Sequence, residues 1–185
     1  MLTQAAQFFL NSLLEPYAWL LLLRFHLQWL RAPLRNPLGE FVALLTNPLT
    51  LPVRRVIPAI GMLDTASLLL AALVELACLS ATLYLHDKSL GAVLLLAWVL
   101  LRLVTGSVYL LMIALFLEAL LSWTNPHAPF APVLSAITRP FLRPLRRLVP
   151  PTGSMDFSFL ILFFLCYVIV ALPLGWLEVL ILGSL

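Results

Sequence analysis

Apolar residues run in long blocks along this chain instead of alternating or recurring on one narrow face. Four blocks, residues 10–30, 65–85, 90–123 and 157–182, reach the roughly 20 residues that a helix needs to cross a ~30 Å hydrocarbon core. Between the first and second blocks, and again between the third and fourth, lie segments rich in proline and arginine, residues 31–62 and 124–155. The pattern predicts an all-α integral membrane protein with four transmembrane helices. The third block would make a helix of roughly 50 Å at ~1.5 Å per residue, too long for one untilted crossing. Splitting it leaves no room for a turn and reverses the orientation of everything after it. The crossing helix is therefore placed at 104–123, with 90–103 as an interfacial or re-entrant lead-in, so that the third helix is long or bent. The bend is expected near Thr105, Gly106 and Ser107.

The blocks are related by an internal repeat. A shift of 92 residues lays Thr46, Pro48, Pro52, Arg54, Arg55, Pro58, Gly61 and Asp64 onto Thr138, Pro140, Pro144, Arg146, Arg147, Pro150, Gly153 and Asp156, without a gap. Pro37 falls on Pro129, and a two-residue slip brings Trp29 onto Trp123. The chain divides into repeat 1, residues 1–88, and repeat 2, residues 89–185, each a helix, an amphipathic Arg/Pro segment and a second helix. Within the Arg/Pro segments, Leu38, Val42, Leu45 and Leu49, and likewise Phe130, Leu134, Ile137 and Phe141, recur at helical spacing. They predict a short interfacial helix that ends near Pro48 or Pro140. Prolines 52, 58, 144 and 150 are expected to keep it from continuing through the arginine pairs. Asp64 and Asp156 are placed to N-cap the outgoing helices.

Composition narrows the class. Of 185 residues, 63% are apolar and 10% charged, against about 25% charged in an ordinary soluble domain. A soluble chain of this length has too little interior to hide that much apolar surface. No cleavable signal peptide is expected, because residues 1–14 lack a basic n-region and no small-residue cleavage site follows the apolar run. Cys78 and Cys166 lie inside apolar runs and are expected to be small buried hydrophobes, not a disulfide or a metal site.

Charge sets the expected topology. Arg31, Arg35, Arg54, Arg55, Arg139, Arg143, Arg146 and Arg147 all fall in the two Arg/Pro segments, whereas the connection between repeats holds only Lys88. The positive-inside rule then puts both segments in the cytoplasm of a bacterial inner membrane, with both termini periplasmic. The two repeats share one orientation, so a pseudo-two-fold axis should run along the membrane normal.

Two groups of residues are candidates for function. Arg54, Arg55, Arg139, Arg143, Arg146 and Arg147 either fix topology and meet anionic headgroups, or form a docking surface for a partner or a phosphate-bearing ligand. Arg24, Glu118, Glu75 and Arg102 lie at membrane depth, where ionisable groups are paired or functional. Arg24 and Glu118 occupy equivalent repeat positions with opposite charge and are expected to face one another; Arg102 is a possible partner of Glu75. These charges are either ion pairs that fix helix register or a polar path for an ion or proton. His26 has no second His or Met at the matching repeat position to complete a haem or metal site. Tyr17, Trp29 and Trp123 fall near span ends, where aromatic residues settle at headgroup level. His86 and Asp87 stand in the short connection without company. No Ser-His-Asp set, HExxH, Walker A loop or Gly-rich dinucleotide turn is present, so neither an enzyme nor a bound cofactor is indicated.

The repeated T-x-P-x-x-x-P-x-R-R-x-x-P-x-x-G-x-x-D element, with a tryptophan upstream and spans on either side, resembles the YggT family over essentially the whole chain. Asn47 and Arg139 occupy the same motif slot, so the two copies are not interchangeable. The resemblance implies a small bacterial inner-membrane protein, with relatives in cyanobacteria and plastids, of no settled biochemical activity. It also implies links to osmotic-stress tolerance, to cell or organelle division and, in plastids, to maturation of a haem-bearing cytochrome. The first expectation is a non-enzymatic scaffold or assembly factor that works through the Arg/Pro face. It would act on anionic lipid and a protein partner or second copy, and on no nucleic acid. The second is a small transport or osmotic-adaptation component using the intramembrane charges. A haem or cytochrome assembly role rests on analogy alone.

Overall fold

A computed structural model describes residues 2–59, 61, 63–125, 127–149 and 157–183, and their regular structure is helical throughout. We number the helices α1 (Leu2–Trp29), α2 (Pro37–Val56), α3 (Thr65–Leu85), α4 (Ala92–Thr124), α5 (Ala131–Leu148) and α6 (Phe157–Leu182). The expected cap at Asp156 lies outside the described residues.

Helices α3, α4 and α6 are long and apolar enough to cross a membrane. Their outward faces carry side chains such as Leu100, Phe116, Phe164 and Tyr167, each more than half exposed. That is the inverse of a soluble surface and matches a lipid solvent. Helix α1 is 28 residues long but carries Glu15, Arg24 and His26, which lower its apolar average. It packs most extensively on α3. Leu21, Leu22, Leu70, Ala71 and Leu103 form the apolar centre where α1, α3 and α4 meet. A second apolar cluster seats α2 and α5 on the bundle through Leu27, Val42, Ala114, Val133 and Ile137. Helix α6 closes on α4 and α5 through Leu162 and Cys166.

Helix α4 is a single helix of 33 residues, so residues 92–103 belong to it and form no separate interfacial or re-entrant lead-in. It has no internal proline, and at Gly106 the missing Cβ admits a neighbour instead of a bend. A Cβ there would lie 3.2 Å from Leu22 Cδ2, so glycine lets α1 and α4 approach closely. The irregularity among the spans falls in α6, where Val170–Leu174 opens into a π-turn around Pro173. A widened turn accommodates the ring and the missing N–H without ending the helix.

The Arg/Pro segments also differ from expectation. Helix α2 continues through Pro48 and Pro52 to include Arg54 and Arg55, and α5 continues through Pro140 and Pro144 to include Arg146 and Arg147. Each proline pair is spaced by four, so both rings and both freed carbonyls lie on one face, which is exposed. The opposite face of α2 is buried and held by hydroxyls, Thr46 Oγ1 donating to the Val42 carbonyl at 2.5 Å and Thr50 Oγ1 to that of Thr46 at 2.9 Å. Helix α2 stops at Ile57, whose N–H closes on the Val53 carbonyl, immediately before Pro58, where a preceding residue disfavours helical torsions. The buried stripe is Gly39, Val42, Thr46 and Thr50, while Leu45 and Leu49 are exposed.

Asn36 caps α2 by accepting from Gly39 N–H at 3.0 Å. The turn is tight enough that a Cβ on Gly39 would come within 2.3 Å of the Leu34 carbonyl oxygen. Between α2 and α3, Gly61 takes φ of +63°, a left-handed torsion that favours glycine.

Candidate functional site

At the arginine end of the bundle, α1, α2 and α3 converge on one carboxylate. Asp64 is the N-cap of α3, accepting from the Ser67 N–H at 3.4 Å and from the Ser67 hydroxyl, and it is fully buried. Arg54 on α2 grips it in a fork, Nε to Oδ1 at 3.2 Å and Nη2 to Oδ2 at 2.6 Å. The same Nη2 donates to Gln28 Oε1 on α1 at 2.9 Å. Arg24, also on α1, brings Nε to 3.6 Å from Oδ2. Its Nη1 donates to Thr46 Oγ1 at 2.5 Å and Asn47 Oδ1 at 2.8 Å. Burial alone would raise the Asp64 carboxyl, but the hydrogen bonds from Arg54 and Ser67, with the Arg54 charge, outweigh it and hold the group below its ordinary value.

The repeated motif therefore has a physical meaning. In repeat 1 its Thr46, Arg54 and Asp64 are members of a clasp that pins α2 against two other helices, and Gly61 supplies the return turn. Two arginines on one aspartate leave the clasp with an excess positive charge.

The second repeat builds its counterpart differently. Glu118 stands where repeat 1 has Arg24, and the contact reverses sense, Thr138 Oγ1 donating to Glu118 Oε2. The expected pairing of Arg24 with Glu118 is not made: each charge engages the threonine of its own amphipathic helix. Beside Glu118 lies an open cavity of about 510 Å³, lined also by Ser122, His127 and Ser135. The Arg146 guanidinium lies 5.4 Å from the Phe159 ring centre, within cation–π range.

The remaining arginines face outward. Arg55, Arg139, Arg143 and Arg147 are exposed, as are Arg31 and Arg35 ahead of α2. Of the six arginines singled out from the sequence, Arg54 is thus a structural member of the clasp, Arg146 is exposed beside the Phe159 ring, and Arg55, Arg139, Arg143 and Arg147 make the rest of the accessible basic surface. Exposed apolar side chains, among them Phe41, Leu44, Leu49 and Leu51, lie on the same α2.

A second charge cluster, half-buried apart from its buried Glu75, lies towards the opposite end. Arg102 on α4 pairs with Glu15 on α1, and its Nε is 3.7 Å from Glu75 Oε2 on α3. Glu15 is a member that the sequence reading passed over, although its position inside an apolar block was signal enough. Gln28, Asn47 and Ser67 carried no such signal, since each becomes a partner only when three helices meet. His26 Nδ1 lies 2.7 Å from the Leu22 carbonyl of its own helix, and its ring packs edge-on against Phe25 and Trp29, the environment of a core side chain. Cys78 and Cys166 are buried free thiols. No group of three His, Cys, Asp or Glu side chains suited to a metal ion is found among the described residues.

Comparison with known proteins places the chain in context. The CCB3/YggT family model matches twice, over residues 3–83 and 97–177. The chain is 37% identical over 163 residues to the uncharacterized protein YggT of Escherichia coli, covering 88% of this chain and 85% of that one. It is 35% identical over 161 residues to an uncharacterized protein of Pseudomonas aeruginosa, covering 85% and 82% respectively. An uncharacterized protein of Vibrio alginolyticus is 34% identical over 161 residues, with coverage of 84% and 86%. No solved structure matches. The tandem match and the long relatives together establish that this chain belongs to the CCB3/YggT family.

Proposed function

We propose that the protein is a non-catalytic, four-span scaffold of the bacterial inner membrane, presenting two rigid basic helices at the cytoplasmic interface to anionic lipid and a protein partner. The observation that carries this reading is the division of labour among the motif arginines. Arg54 is consumed in locking α2 in place, while Arg55, Arg139, Arg143 and Arg147 are left exposed on helices α2 and α5. A chain that needed arginine only for orientation has no use for a buried clasp that fixes where α2 presents Arg55.

The fourth span in this reading is α1. At 28 residues it has the length to cross, about 1.5 Å per residue against a ~30 Å core. Its two charges are paired within the bundle, Glu15 with Arg102 and Arg24 with Asp64, the latter an acid that it shares with Arg54. Paired charges lower the cost of insertion that composition alone would assign. Both arginine-bearing helices then lie on the cytoplasmic side, and the connection at Lys88 on the periplasmic side. Cysteine-accessibility mapping at exposed positions near Arg55 and Lys88 tests this orientation.

Affinity capture from gently solubilised native membranes tests the docking role. Replacing Arg55, Arg139, Arg143 and Arg147 together with glutamine should leave the protein folded and remove its co-purifying partners. Full retention of every partner would eliminate the docking face. A transport reading draws on the Glu15–Arg102–Glu75 cluster, and flux of K⁺ or protons into liposomes, abolished by Glu75→Gln, would favour it over the scaffold.

A further inference from the structure

The Glu15–Arg102–Glu75 cluster joins three helices and holds two carboxylates against one guanidinium. Arg102 is committed to Glu15 in a direct ion pair. Glu75 is 3% exposed, and its Oε2, 3.7 Å from Arg102 Nε, has no hydrogen-bond partner. Nearby, Trp98 Nε1, one helical turn before Arg102, is also buried without a partner. Buried apolar side chains flank the cluster, Leu21, Leu22, Ala71 and Leu103 towards the arginine end and Leu79 and Leu83 beyond Glu75. A groove of about 360 Å³ between α1 and α4, lined by Asn11, Glu15, Trp19, Leu20, Leu23 and Leu110, runs past Glu15. Gln7 carries the polar surface on by donating to Asn11 and to Thr82 at the far end of α3.

The charges that reach this cluster come from each helix packed on it. Glu15 stands on α1, Glu75 and the Cys78 thiol on α3, Arg102 on α4, and the Glu178 carboxylate acts on Arg102 from α6. Arg102 is the lone cation in that set, so a fully ionised cluster has a net negative charge around the buried Glu75. Two carboxylates sharing one neutralising charge there do not both ionise. We propose that the cluster is a binding site for one exchangeable proton, carried by Glu75 while Arg102 pairs with Glu15. The proton exchanges past the Arg102–Glu15 pair, whose side chains are each about a third exposed. A single proton moves, from water to the Glu75 carboxylate and back, with no other bond changed. The inference stands apart from the docking role, since it involves none of the exposed arginines.

Infrared difference spectroscopy of the full chain in lipid nanodiscs, between neutral and alkaline buffer, tests it. The wild type should have a protonated-carboxyl C=O band at neutral pH that is absent in Glu75→Gln and retained in Glu178→Gln and Glu118→Gln. Glu15→Gln should remove the same band, because Arg102 is then free to pair with Glu75 and ionise it. This second variant keeps the test decisive if Glu75→Gln does not fold. Absence of the band in the wild type, its persistence in Glu15→Gln, or its loss on adding Na⁺ or K⁺ at constant pH would overturn the proposal, the last by making an alkali cation the neutralising ligand.

Discussion

Replacing Asp64 with asparagine isolates the energy of the clasp from that of the helix cap. Asparagine caps a helix about as well as aspartate, so the Ser67 N–H keeps an acceptor and α3 keeps its start. What is lost is the negative charge on which Arg54 and Arg24 converge. Removing one partner of a buried ion pair costs about 3–5 kcal/mol, because the other charge stays buried and unpaired. The Arg54 side chain is 31% exposed, so water relieves part of the penalty and the lower half of that range applies, about 3–4 kcal/mol. In a chain of this size each kcal/mol moves the melting temperature by ~2–4 °C, which gives a loss of roughly 6–16 °C. The buried free thiols of Cys78 and Cys166 supply the assay: a fluorogenic maleimide reacts with them only as the bundle opens, so labelling against temperature in mild detergent reads the transition. Adding Arg54→Gln to Asp64→Asn should cost little more, since the arginine has already lost its carboxylate and gives up only the hydrogen bond to Gln28. A melting temperature within ~2 °C of wild type for Asp64→Asn would refute the assignment of the motif to a load shared by these charges.

Other outcomes follow from the same geometry. The Asp64 carboxyl is held below its ordinary value in the folded chain, so the unfolded chain binds its proton more readily. The stabilisation is fully present above the unfolded carboxylate value, ~3.9, and is lost as pH falls through the lower folded value; melting followed across acidic buffers should decline there in wild type and less so in Asp64→Asn. Gly39→Ala forces a methyl against the Leu34 carbonyl oxygen, and the backbone must move, costing roughly 1–3 kcal/mol as read by the same thiol assay. Gly106→Ala meets only the flexible end of Leu22 and should be tolerated, whereas Gly106→Leu should separate α1 from α4 and lower the melting temperature. Arg55→Gln should leave stability within about 0.5 kcal/mol, in contrast to Arg54→Gln, although the two residues are neighbours in one motif.

The amino-acid sequence by itself determined the solvent, the helices and the duplication. Apolar blocks of spanning length have no stable alternative to helix in lipid, since each backbone N–H and C=O must be satisfied within its own segment, and the blocks at 65–85 and 157–182 coincide with α3 and α6. The repeated Thr, Arg, Gly and Asp positions were equally plain, because a spacing conserved between two halves of one chain is a pattern that needs no coordinates. Local rules failed where a helix gained support from neighbours. Proline was read as a stop at 48 and 140, yet α2 and α5 run on because their opposite faces are buried and their rings face outward. Only the tertiary structure decided which charges pair. Partners such as Arg54 with Gln28 and Arg102 with Glu15 lie 26 and 87 residues apart in the chain. In a low-dielectric interior a charge takes the partner that the packing of three helices brings within reach, and no periodicity along one strand of sequence encodes that choice. Repeat symmetry suggested Arg24 opposite Glu118; packing gave Arg24 to Asp64 and Glu118 to Thr138, and so divided one row of arginines into a buried clasp and an exposed face.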